Sequence, residues 1–108
     1  MVVSVSFDKS NIDFYNQIMI SEQDKAKIVD IGRQYHVREI FLFGSSIDPN
    51  RKAKDIDLAV AGIAPEEFFR FYGDLLFELS KPIDLIDLSN DTEFNRLVYR
   101  DGIRLYGV

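Results

Sequence analysis

Apolar and polar positions change their spacing several times along the chain, and each change predicts an element. Across residues 21–36 the apolar residues Ala26, Ile28, Val29, Ile31 and Tyr35 follow a mostly helical spacing. Ser21 is placed to cap that helix, with Asp24 three residues on, as in a capping box. The run Arg38-Glu39-Ile40-Phe41-Leu42-Phe43 then predicts a buried strand ended by Gly44, and residues 55–61 predict a second strand closed by Gly62. Pro65 suits the first position of a new helix, with Glu66 and Glu67 favourable in its first turn. Phe68, Phe71, Tyr72, Leu75, Leu76 and Leu79 give that helix one broad apolar stripe, and Phe69 and Phe77 fall outside it. It should end near Ser80. Residues 83–88 predict a third strand, entered at Pro82. Asn90 or Asp91 can cap a last helix running from Thr92 to about Arg100, terminated by Gly102 and followed by a short strand over residues 103–106.

The first twenty residues are less regular. Val3, Val5 and Phe7 alternate with Ser4 and Ser6 as in a short strand. Residues 8–20 leave a strand pair, an irregular arm and a partner-binding extension all open. The expected architecture is an α/β domain over residues 21–108, preceded by this strand or arm over residues 1–20. Its mixed sheet has three core strands plus edge strands, flanked by helices.

Composition narrows the function. A chain of 108 residues with 46% apolar and 29% charged residues suits one globular domain with one core. It has no cysteine, which excludes disulfides and thiolate metal sites. No apolar run approaches the ~20 residues of a membrane span. The N-terminus lacks a basic segment before a long apolar run, so a cytoplasmic location is expected. A net charge of −5 argues against non-specific binding to DNA or RNA, which needs a positive surface.

The chemistry concentrates between Phe43 and Asp84. On a strand, Asp55 and Asp57 share one face. Two like charges side by side on an apolar strand are unfavourable without a counter-charge, and a divalent cation is the usual one. Mg²⁺ takes one or two carboxylates together with phosphate oxygens and water. The Gly44-Ser45 turn just upstream offers a backbone that a phosphate can approach, with helix-terminal amides to follow. Asp84 lies 27 residues after Asp57 with a helix between, so a crossover can lay its strand beside the first. Asp84 and Asp87 point to opposite faces of a regular strand, and only one can join the pair. Asp84, between Ile83 and Leu85, is the one expected there; Asp87 should face solvent or cap a turn. Arg51, Lys52 and Lys54 stand evenly between a phosphate clamp and a solvated loop. His36, alone at a helix end, suits a surface position.

The series Phe43-Gly44-Ser45, Asp55-Ile56-Asp57-Leu58 and Ile83-Asp84-Leu85 resembles the signature of the DNA polymerase β nucleotidyltransferase superfamily. The short chain and the ending Gly102-Ile103-Arg104-Leu105-Tyr106 resemble its minimal nucleotidyltransferases, of the HEPN/MNT toxin–antitoxin type. The resemblance covers residues 21–106. It implies that Asp55, Asp57 and Asp84 ligate Mg²⁺, with two ions, and that Gly44 and Ser45 hold a nucleoside triphosphate. The implied reaction transfers a nucleotide from the triphosphate to an acceptor hydroxyl, with a HEPN-like helical protein as partner and acceptor. A second function stays open: a non-catalytic domain of this fold that neutralises its partner by contact. A homo-oligomer is also open. The chain departs from the common minimal pattern Gly-Ser-x-Ala-Arg-Gly in reading Gly44-Ser45-Ser46-Ile47-Asp48-Pro49, and nine residues separate Ser45 from Asp55 where ten are common.

Overall fold

The computed structural model describes residues 20–48, 50 and 54–107. The strand and arm expected over residues 1–20 lie outside this range except for Ile20, which is buried. The first element is helix α1, Glu22–Gln34. Strand β1 is Glu39–Leu42, followed by a single 3-10 turn, Gly44–Ile47, and by β2, Ile56–Ala61. A 3-10 turn, Pro65–Glu67, leads into helix α2, Phe68–Glu78. Strand β3 is Ile83–Asp87, helix α3 is Glu93–Asp101 and strand β4 is Ile103–Tyr106.

The four strands form one sheet in the order β3-β2-β1-β4. β1 is antiparallel to both β2 and β4, and the register with β4 shifts between Ile40 and Phe41. β2 and β3 are parallel, joined across α2. This is the mixed α/β architecture that the patterning predicts.

Strand alternation divides the side chains between two faces. Ile40, Leu42, Ile56, Leu58 and Val60 point to the face covered by α1 and α2, where they meet Ile28, Ile31, Phe71 and Leu75. Phe41, Ala59, Ala61 and Leu88 point the other way, where Val98 of α3 packs on them. Each fully buried Leu, Ile or Phe of the larger cluster contributes about 1.5–3 kcal/mol relative to exposure.

The ends of the elements depart from expectation in instructive ways. Ser21 does cap α1, its Oγ accepting from the Asp24 amide at 3.0 Å. The Asp24 carboxylate does not close a capping box: it is buried and accepts from the Ser80 amide and hydroxyl beyond α2. A long-range partner with two donors outcompetes the local one. Two residues past the end of α1, exposed His36 has a positive φ of 57° and turns the chain away from the helix. The cap of α3 is Thr92, whose Oγ accepts from the Asn95 amide, rather than Asn90 or Asp91. Buried Asn95 instead donates to the carbonyls of Asp87 and Asn90, tying α3 to the end of β3. Gly102 ends α3 without a left-handed turn; a Cβ there would stand 2.6 Å from the Val98 carbonyl oxygen. Leu76, expected in the apolar stripe of α2, is exposed.

Candidate active site

The parallel pairing of β2 with β3 sets Asp57 opposite Asp84 in register. Alternation puts Asp57 on the face of Ala59 and Ala61, and Asp84 on that of Ile86, beyond the patch that Val98 covers. Asp57 is half-buried and Asp84 exposed. Asp55 is not part of the strand as expected: β2 begins at Ile56, and Asp55 lies exposed in the bend just before it. The bend follows from Ser46, which holds the backbone there.

Ser46 is a residue that the motif reading passed over. It is buried, and its Oγ accepts from the Asp57 amide at 2.9 Å while donating to the Asp55 carbonyl at 3.3 Å. One hydroxyl thus grips the chain between the two acids and fixes the Gly44 turn against β2. The available signal was a second serine directly after Gly44-Ser45, a small polar residue able to sit inside a turn.

Gly44 has a positive φ of 64°, and a Cβ added to it would lie 2.7 Å from Asp57 Oδ2. Any larger residue would therefore strain the turn and displace the carboxylate. Ser45 Oγ donates to Asp57 Oδ2 at 3.4 Å, and the Phe43 amide donates to the Asp57 carbonyl at 3.0 Å. Glycine turn and carboxylate are packed as one unit. The turn is a single 3-10 turn within the connection between β1 and β2.

Burial pushes the Asp57 carboxyl above the usual carboxylate range, and the charge of Asp84 adds to this. The hydrogen bonds from Ser45 oppose the shift, and the more weakly acting Asp55 reinforces it. The cost of unpaired charge thus falls on Asp57, the half-buried member. The three carboxylates do not form a ready-made cage: no group of three His, Asp or Glu residues among those described is set to hold a metal ion. The donor set nonetheless fits Mg²⁺, which needs only one or two carboxylates and completes its shell with phosphate and water.

Asp87 takes the role expected of it, accepting from the Ser89 amide at 2.9 Å in the turn after β3. Asp48 Oδ1 accepts from the Asn50 amide at 2.9 Å, an engagement within its own loop. Lys54 is exposed beside Asp55, while Arg51 and Lys52 lie outside the described residues. A shallow hollow of about 170 Å³ adjoins Gly44, lined by Phe43, Ile47, Phe94, Leu97 and Gly102.

The structure thus brings together a glycine turn, an acid hydrogen-bonded to the serine of that turn, and a second acid opposite it on a parallel strand. Residues 26–108 match the family model of polymerase beta nucleotidyltransferases, and the chain belongs to that family. It is similar to solved chains of a toxin–antitoxin complex, MntA–HepT: 26% identity, TM-score 0.62, over 82% of this chain and 74% of that one. A toxin–antitoxin structure with AMP-PNP gives 27% identity and a TM-score of 0.65 over 78% and 73% of the two chains. The tri-AMPylated HEPN toxin of Shewanella oneidensis in complex with its MNT antitoxin gives 27% identity and a TM-score of 0.61, over 79% and 71%. No curated protein matches the chain. None of its described helices is long and apolar enough to cross a membrane.

Proposed function

We propose that the chain is the antitoxin-like member of a HEPN/MNT pair and transfers a nucleotide from a nucleoside triphosphate to a hydroxyl of its HEPN-type partner. The observation that carries this reading is the in-register pairing of Asp57 with Asp84 against the Gly44 turn. AMP-PNP in one similar complex and AMPylation of the toxin in another support the substrate and the acceptor.

In this reading Asp55 and Asp57 would hold Mg²⁺, with two ions expected, and Asp84 would complete the site. The metal supplies charge neutralisation for the attacking and leaving oxygens of an in-line displacement. The Gly44 and Ser45 backbone positions the triphosphate. Ser46 keeps Asp55 and Asp57 at fixed separation by bonding the peptide groups between them. Asp84 is exposed and can reach an incoming acceptor. It takes the proton of the acceptor hydroxyl as the oxygen bonds to the α-phosphorus and the bond to pyrophosphate breaks.

The test uses the full chain, its HEPN-type partner, Mg²⁺ and a triphosphate labelled at the α-phosphate. Label should pass to the partner with release of pyrophosphate, and Asp55→Asn/Asp57→Asn should abolish both transfer and calorimetric divalent binding. A wild-type chain that binds the partner tightly but neither binds triphosphate nor transfers label would make it a contact-only neutraliser.

A further inference from the structure

The sheet face opposite the carboxylates is covered by α2, and the outer side of α2 carries a symmetric apolar pattern. Phe69 is 79% exposed, Phe77 is 86% exposed and Leu76 is 46% exposed. Gly73 stands midway between the two phenylalanines, four residues from each. Nothing lies within 4 Å of a Cβ built on Gly73, so no neighbour among the described residues demands a glycine there. A glycine inside a helix weakens it, so its presence calls for a reason. At 3.6 residues per turn Gly73 marks the centre of the exposed face, with the two rings about 40° to either side.

One flank of this face is acidic. A groove of about 400 Å³ between α1 and α2 is lined by Lys27, Asp30, Asp74, Phe77 and Glu78 among others. Arg70 lies on the same flank, about 60° round from Gly73. It is exposed and makes no hydrogen bond or ion pair among the described residues.

We propose that this face is a two-fold interface in which α2 crosses α2 of a second copy, antiparallel, at Gly73. A two-fold axis through the crossing exchanges the two ends of the helix but leaves each flank on its own side. Phe69 of one copy then lies alongside Phe77 of the other, and the absent side chain at Gly73 lets the backbones approach. The same operation carries Arg70 of each copy over the acidic groove of its mate, near Asp74 and Glu78. Every contact occurs twice, as an isologous interface requires. Four phenyl groups bury at most roughly 600–1,000 Å², which with Leu76 and Arg70 approaches the roughly 1,000 Å² that a specific interface should clear. The carboxylates face away from α2, so both active sites stay open in the dimer.

Sedimentation equilibrium of the full chain tests the proposal. The wild type should show a concentration-dependent monomer–dimer equilibrium. Phe69→Ser/Phe77→Ser should raise its dissociation constant by about tenfold or more. Gly73→Leu should do the same by propping the helices apart, although nothing among the described residues of the same chain opposes the larger residue. Arg70→Glu and Glu78→Arg should each favour monomer alone, yet dimerise when mixed in equal amounts, because the mixed pair restores opposite charges on both sides. A wild type that stays monomeric at every concentration overturns the proposal. So does a dimer that none of these changes weakens, or a mixture of the two charge variants that is no more dimeric than either alone.

Discussion

The two faces of one sheet use neighbouring residues for opposite ends. On β2, Ile56, Leu58 and Val60 are sealed under α1 and α2, while Asp57, between Ile56 and Leu58, stands half-open on the other side. The sealed face is covered by two helices, and its polar groups are paired across long sequence distances, Asp24 with Ser80 and Tyr35 with Asp74. Among the described residues the other face carries only the nine-residue α3, which packs on Ala59, Ala61 and Leu88 and does not reach the Asp57–Asp84 end. The closed face supplies the stability that lets the open face keep like charges together. The difference can be probed by changes that act on one face at a time.

The largest effect should come from the sealed face. Phe71 is fully buried and in edge contact with Tyr35 at 5.3 Å between ring centroids. Phe71→Ala should cost about 3–5 kcal/mol in urea unfolding through lost contact and a residual cavity. Asp57→Asn, one strand away on the other face, should leave stability equal or higher in chelator, because it removes a charge that burial and Asp84 disfavour. If Asp57→Asn unfolds the chain as Phe71→Ala does, the two faces are not the separate devices described above.

On the open face, the sharper comparison is within β3. Asp84 is opposite Asp57, whereas Asp87 is opposite Val60 and caps the turn at Ser89. Asp84→Asn should cut transfer about a hundredfold or more, the usual reach of a lost acid–base group. Asp87→Asn should leave transfer nearly intact. Labelled triphosphate and the purified partner would measure both. An inactive Asp87 variant beside an active Asp84 variant would mean that the chemistry uses the opposite register of this strand.

Much of this was legible because it rests on local periodicity. The short apolar runs bounded by Gly44, Gly62 and Pro82 give β1, β2 and β3, and the odd spacing of Asp84 and Asp87 separates their sides. What stayed hidden depends on partners distant in the chain. Nothing near Asp24 says that its carboxylate will reach Ser80, 56 positions on. Nothing near Asp55 says that Ser46 will hold its carbonyl and start the strand one residue later. Leu76 fits the apolar stripe by spacing, yet it stays exposed, with none of the described elements packed over that part of α2. The need for glycine at position 44 was legible as a turn; its contact with Asp57 was visible only once β1 and β2 were paired.

The smallest effect tests a polar tie of the sealed face. Tyr35 Oη donates to Asp74 Oδ2 at 2.6 Å, linking the end of α1 to α2. Burial first, and then the bond to Asp74 and its charge, push the Tyr35 hydroxyl from 10.0 up to about 12. A folded-state value above the unfolded one means that the neutral hydroxyl favours folding. That contribution is whole below pH 10 and is lost as pH climbs through about 12. Tyr35→Phe keeps the ring against Phe71 and removes only the hydroxyl, so at neutral pH it should cost about 0.5–1.5 kcal/mol. The gap between wild type and variant should then close across that alkaline window, because the wild type loses there what the variant never had. Urea unfolding of both proteins at a series of pH values measures the gap, and the other tyrosines cancel in the difference. A gap that holds constant from neutral pH through the window would mean that the Tyr35 proton takes no part in holding α1 to α2.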